Sequence, residues 1–371
     1  MAGFSLKDQL FNAETVSLLA EPFGEAKIFD AKLFVGRVMQ DLPPLELKER
    51  INLIADVLVD TLPDDFPEAV QAIRMCLPPP LDPSKTDDDF GHFIYAPLGV
   101  FVEKRGMDNH LELSLDLLED LTQRFSMEFS IRAFLNQWPT ETLARMNRWT
   151  RHENYHVRRL ACEGLRPRLP WGQSIPQVSQ DRLPVLTALH SDKTRFVTRS
   201  IANHLNDIAK SEPDVVIQLL DDWLQREQQT AKELDWIRRH ALRGLIKEGH
   251  PAAMAHLGYD ADLAITEASI EMSPHQLDIG SKANVVAEFV VPEGGPIIVD
   301  YVIDFSRDAG RKSRKVFKMK VLKAKYNQKV QLQKTHLFKK DATTFTHKPG
   351  QHRLGLQING RIVATSHFVL S

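Results

Sequence analysis

The decapeptide His156-Val157-Arg158-Arg159-Leu160-Ala161-Cys162-Glu163-Gly164-Leu165 has two partial copies downstream. They are Phe196-Val197-Thr198-Arg199-Ser200-Ile201-Ala202-Asn203-His204-Leu205 and Trp236-Ile237-Arg238-Arg239-His240-Ala241-Leu242-Arg243-Gly244-Leu245. β-Branched residues at 157, 197 and 237, arginines at 159, 199 and 239, and leucines at 165, 205 and 245 each recur every 40 residues. A fixed period of this size marks stacked helical repeats, because one helix pair cannot bury its apolar face alone.

The period predicts an α-solenoid of the HEAT or armadillo kind, over about residues 1–260. Within each repeated helix, positions four apart share a face. That face reads Arg159-Glu163, then Arg199-Asn203-Asp207, then Arg239-Arg243. Arginines recurring in phase have two readings: pairing with the preceding helix, or a cationic row on the concave surface.

Upstream, residues 5–75 read as helices, with apolar spacing clearest over Leu47–Leu58. Residues 77–90 carry prolines and the run Asp87-Asp88-Asp89, which predicts a solvated loop with no metal ligand spacing. Leu111–Phe125 is amphipathic. Ser126 is placed to cap a helix running to Trp138, with Glu128 in its first turn. The connector Arg166-Pro167-Arg168-Leu169-Pro170-Trp171 joins the first two repeats.

Beyond about residue 262 the pattern changes to alternating and β-branched runs separated by Gly and Asn turns. Such runs predict an antiparallel β-sandwich over 264–371, with Asn359-Gly360 as a two-residue hairpin. Residues 311–340 hold twelve Lys or Arg and no Asp or Glu, so the remainder of the chain sums to −14 against a net −2. One basic segment on an acidic chain points to a polyanionic partner. Arg311, Lys312, Arg314 and Lys315 follow Gly310 and are expected at a hairpin tip.

Cys76 and Cys162 are the only cysteines, which fits a reducing cytosol rather than a disulfide framework or zinc site. No signal-peptide pattern and no 18-residue apolar run occurs. The chain has no nucleotide-binding glycine loop, HExxH pair, GxSxG elbow or cysteine cluster. No metal or cofactor is expected. The residues alone support nucleic-acid binding more than catalysis, and a scaffold for a protein partner stays open.

The stretch Asn154–Trp171 resembles the signature of the AlkC-type DNA alkylation repair glycosylases. Segments 196–208 and 235–241 resemble its next two blocks, and 47–50 and 127–132 its earlier ones. The resemblance implies a HEAT-like fold, in a form with a C-terminal immunoglobulin-like domain. It implies excision of cationic 3-methyladenine and 3-methylcytosine from double-stranded DNA without base flipping, by a cytoplasmic monomer. Such a base leaves neutral, so no general acid is needed. A carboxylate near C1′ stabilises the oxocarbenium-like sugar and orients water.

Glu163 is the first candidate for that role, then Glu128, then Asp207. Arg159, Arg166, Arg168, Arg199, Asn203, Arg239, Trp171 and Trp236 are candidates for DNA contact, as are Arg311, Lys312, Arg314 and Lys315. Glu163 has a plainer reading as the partner of Arg159, and both tryptophans have one as core residues. No lysine nucleophile stands out, so neither a Schiff base nor strand cleavage is expected. The rival reading is a non-enzymatic solenoid that binds damaged or structured nucleic acid.

Overall fold

The structure, a computed structural model, describes residues 5–87, 89–175, 182–306, 312–340 and 345–371, with only the backbone of Lys312. Helices run from Leu6–Leu10 to Pro251–His256, and strands follow from Thr266. The chain forms two compact units: residues 1–208 with 226–237, and residues 209–225 with 238–371.

The first unit is helical. The repeated segments form the helices Tyr155–Glu163 and Arg195–Ile208, which pack on each other. Val157, Leu160 and Ala161 on one, and Val197, Ile201 and Leu205 on the other, are buried. Asn154 starts the first helix by accepting the His156 amide at 2.8 Å. Gly164 and Pro167 close it.

The helix Leu111–Thr122 ends before Phe125, and the next one spans Ser130–Gln137. Ser126 therefore does not cap it. Phe125 instead forms an isolated bridge with Gly91, which holds residues 126–129 in an irregular turn. The loop over 77–92 is also tethered: the Phe196 amide donates to the Thr86 carbonyl at 2.9 Å, and Asp87 pairs with Arg199. Asp88 lies outside the described residues.

The second unit contains the sandwich. Its strands are β1 (Thr266–Ser273), β2 (Gln276–Leu277), β3 (Lys282–Val291), β4 (Gly295–Ser306), β5 (Lys312–Ala324), β6 (Gln328–Leu337), β7 (Gly350–Ile358) and β8 (Arg361–Leu370). One sheet has the order β1-β3-β6 and the other β2-β8-β7-β4-β5. Among the described residues, only the β2–β8 pair is parallel. Alternate residues of β3, including Val285, Ala287 and Phe289, meet Val299, Tyr301 and Ile303 of β4 in one core. Asn359 and Gly360 both have positive φ and join β7 to β8 as the two-residue hairpin.

The outer face of β4 is buried too, through Ile298, Asp300 and Val302. Gln357, opposite Asp300, donates to the Lys247 carbonyl at 3.2 Å, and Asn359 to the Asp260 carbonyl at 2.7 Å. A Cβ on Gly360 would lie 2.5 Å from the Gly249 Cα. The segment from Arg243 to Asp260 thus packs on this sheet, which is why residues from 238 onward belong to the sandwich unit. A strand buried on both faces reads as a nearly continuous apolar run, as Ile297–Phe305 does apart from Asp300 and Asp304.

Candidate active site

Helix Tyr155–Glu163 places Arg159 and Glu163 one turn apart. Glu163 is 4% exposed. Its Oε1 accepts from Arg166 Nη1 at 2.6 Å and lies 3.7 Å from Arg159 Nη2. Its other oxygen accepts from the Ser200 hydroxyl on the neighbouring repeat. Burial alone would push this carboxyl up. The Arg159 and Arg166 guanidiniums, with the hydrogen bonds from Ser200 and Arg166, reverse that and hold it below the usual carboxylate range.

Arg159 also binds Glu128, Nη1 to Oε2 at 2.8 Å, and donates to Ser126 Oγ at 2.9 Å. The Ser126 hydroxyl in turn donates to Glu128 at 2.8 Å. The Arg159 guanidinium lies over the Phe196 ring, 4.4 Å from its centre. Glu128 is thus brought to Glu163 by the irregular turn, although the 40-residue period does not include it.

Asp207 is buried behind Arg166, which it engages through Nε at 3.0 Å and Nη2 at 2.9 Å. Burial works against the Arg166 charge, but Glu163 and Asp207 outweigh it and raise the guanidinium's pKa. Three carboxylates therefore surround two arginines, which leaves the cluster net anionic when all are ionised.

Glu128, Glu163, Arg159 and Arg166 line a pocket of about 390 Å³ walled by Phe90, Phe93, Phe125, Phe129 and Phe196, with Trp171 beside them. Asp207 is not among the lining residues. Trp171 is 60% exposed and has φ of +65°. Its carbonyl accepts from Lys48 Nζ at 2.7 Å. Arg132, fully buried, ties down the same connector by donating to the carbonyls of Gly164 and Arg166, each at 2.8 Å.

The other predicted positions scatter. Arg168 is exposed on the connector. Arg199 binds Asp87 of the tethered loop rather than standing open to a ligand. Asn203 is half-buried on helix Arg195–Ile208. Trp236 is half-buried under the Arg195 guanidinium at 3.9 Å. Arg239 donates to the Tyr259 hydroxyl at 2.9 Å.

On the sandwich, the expected basic hairpin tip is corrected, since Lys312, Arg314 and Lys315 belong to strand β5. Arg314 makes a two-pronged pair with Asp304, at 2.7 and 3.1 Å. The acid that neutralises it lies outside the basic segment, which is why composition hides it. Lys315 lies 5.2 Å from the Phe345 ring centre. Arg311 and the Lys312 side chain lie outside the described residues.

Sequence reasoning misses Ser126, Ser200 and Phe196 as parts of the site. Ser200 carries a signal: it follows Arg199, on the repeat that faces Glu163. His156 also lines the pocket, and burial pushes its imidazole down to about 4.

Comparison with known proteins places the chain in a family. Residues 109–245 match the model of the DNA alkylation repair enzyme family. Residues 266–371 match that of the C-terminal immunoglobulin-like domain of the uncharacterised protein YhaZ. The chain is 33% identical to YhaZ of Bacillus subtilis, over 95% of this chain and 96% of that one. It is also similar to the Pseudomonas fluorescens alkylpurine DNA glycosylase AlkC, solved bound to DNA containing an abasic site analogue. That match has a TM-score of 0.87 and 30% identity, and covers 99% of this chain and 100% of that one. The protein with Glu128 and Glu163 on one arginine therefore belongs to the AlkC-type family of DNA alkylation repair enzymes, in the form that carries a C-terminal immunoglobulin-like domain.

Proposed function

We propose that this protein is a monofunctional glycosylase that hydrolyses the N-glycosidic bond of cationic methylated bases in duplex DNA, 3-methyladenine and 3-methylcytosine above all, without flipping the base. The observation that carries the reading is the pair of pocket-lining carboxylates, Glu128 and Glu163, held by Arg159 in an aromatic-walled pocket. The bond between C1′ and the base nitrogen breaks, and its electron pair neutralises the departing base. Positive charge then develops on the sugar, where a fixed carboxylate in a partly desolvated site is most effective. Water adds to C1′ and gives up its proton to a carboxylate.

Asp207 acts through Arg166, as a positioning residue. Trp171 and Arg168, exposed on a connector that Arg132 fixes, are suited to packing on the sugar and holding a flanking phosphate. The basic strand β5 is assigned a phosphate-contacting role.

The test is direct. Incubation with methylated duplex DNA should release free base, detected by chromatography, and Glu128→Gln should lower release by about 10²–10³-fold while retaining DNA binding. Binding without release in the natural protein would refute the enzyme and favour a non-catalytic DNA-binding solenoid.

A further inference from the structure

Beside the carboxylate pocket lies a second cavity of about 180 Å³. Phe93, Phe125, Phe129 and Trp171 wall both, so the two adjoin. Val100, Glu103 and Ser130 line the second cavity and not the first. Apolar cavities of about 150 Å³ hold a benzene ring, so a flat heteroaromatic ring is the right scale of occupant. Glu103 brings a carboxyl to this cavity, largely withdrawn from solvent and hydrogen-bonded to Ser130, and a carboxyl taken out of water is costly unless its polar atoms are used.

We propose that this cavity is a base subsite: it receives the free N3-methylated purine, whose edge meets the Glu103 carboxyl and whose faces meet the aromatic walls. The proposal rests on the glycosylase reading, which supplies the base at the adjoining pocket.

The chemistry of the edge favours one product over another. Burial raises the Glu103 carboxyl to about 7, against a smaller opposing effect of its hydrogen bond with Ser130 and of Lys104. Its protonated form presents one O–H donor beside one carbonyl acceptor. 3-Methyladenine offers the complement, an amino N–H beside a ring nitrogen acceptor, because its methyl group lies away from that edge. In 3-methylcytosine the methyl group occupies the ring nitrogen next to the amino group and blocks the second bond. The subsite should therefore hold 3-methyladenine and reject 3-methylcytosine.

The experiment is equilibrium dialysis of each free base against the full-length protein without DNA. The natural protein should bind 3-methyladenine saturably, and 3-methylcytosine at least about tenfold more weakly, which corresponds to about 1.4 kcal/mol. Glu103→Leu removes donor and acceptor and should weaken 3-methyladenine by a similar factor. Glu103→Gln keeps one of each and should retain it. Val100→Phe, which fills the cavity, should also lose binding; if it fails to fold, the Leu and Gln pair carries the test. Absence of saturable binding, or equal binding by Glu103→Leu, would overturn the subsite. Excision from methylated duplex is assayed in parallel. Release of base without free-base binding refutes the subsite alone, whereas no release refutes the glycosylase reading itself.

Discussion

Glu128 and Glu163, 35 positions apart, meet on a single guanidinium: Arg159 holds one at 2.8 Å and the other at 3.7 Å. Their burial separates their expected phenotypes. Glu128 has a side chain 15% exposed, and its removal leaves Arg159 beside Glu163. Glu128→Gln should lower base release by about 10²–10³-fold, the scale of one missing electrostatic group, and stability by only about 1 kcal/mol. Glu163→Gln should abolish release and also destabilise by roughly 3 kcal/mol, because two buried guanidiniums lose a shared anion. Single-turnover release and thermal melting of both variants measure this. Full activity in Glu128→Gln would remove it from the site.

Asp207 and Arg166 should behave as one unit. If Asp207 works only by aiming Arg166 at Glu163, Asp207→Asn and Arg166→Lys lower the rate by similar factors, and the double variant is little worse than either. Residues that share one network couple by about 0.5–3 kcal/mol in a double-mutant cycle. Additive losses would instead give Asp207 its own contact with the substrate.

The neutral imidazole of His156 predicts a pH dependence. The ring is 5% exposed and sits against Tyr155, at 4.1 Å between centres, and Phe196. Burial lowers it from 6.5 to about 4; Asp89 opposes the shift and Arg159 adds to it. Between those values the folded state binds fewer protons than the unfolded one, so stability rises with pH. The contribution is present above pH 6.5 and is lost as pH falls through 4, with a size on the order of 3 kcal/mol. His156→Phe should flatten the stability profile over this window, read from urea midpoints at a series of pH values. A profile as steep as the natural protein's would give the acid sensitivity to other groups, such as His204, which burial also pushes well down.

The 40-residue period makes the paired helices and the Arg159–Glu163 face readable, because a buried repeat must return its apolar positions at fixed intervals. Ser200 lies on the same period but escapes notice, since a hydroxyl has no charge to single it out. Glu128 can be named only through the family resemblance. Its place depends on the Phe125–Gly91 bridge, a contact between distant segments that leaves no local pattern. The capping reading of Ser126 fails for the same reason: its hydroxyl is taken by Glu128 and Arg159. Arg314 is misplaced by its sequence context because its partner, Asp304, lies across a strand pair rather than nearby in the chain.

That pair reshapes what can be expected of the basic strand. β5 is the last strand of its sheet's order, and its exposed Lys318 and Lys320 alternate with the half-buried Phe317 and Met319. Lysines on an edge strand also serve to block pairing with another chain, so charge there does not by itself imply DNA. Arg314 is spoken for: Asp304 is 8% exposed, and removing its partner leaves a buried carboxylate only 3.8 Å from Arg353. Arg314→Ala should therefore lower the melting temperature and leave the salt dependence of DNA affinity nearly unchanged. Neutralising Lys315, Lys318 and Lys320 together should do the reverse. For duplex DNA, abolishing one lysine–phosphate ion pair reduces the slope of log affinity against log salt by roughly 0.9. Fluorescence anisotropy over a salt series, with melting curves for the same variants, separates the two roles. A triple variant with the natural slope would leave these lysines as guards of an open sheet edge and would end the proposal that β5 follows phosphates.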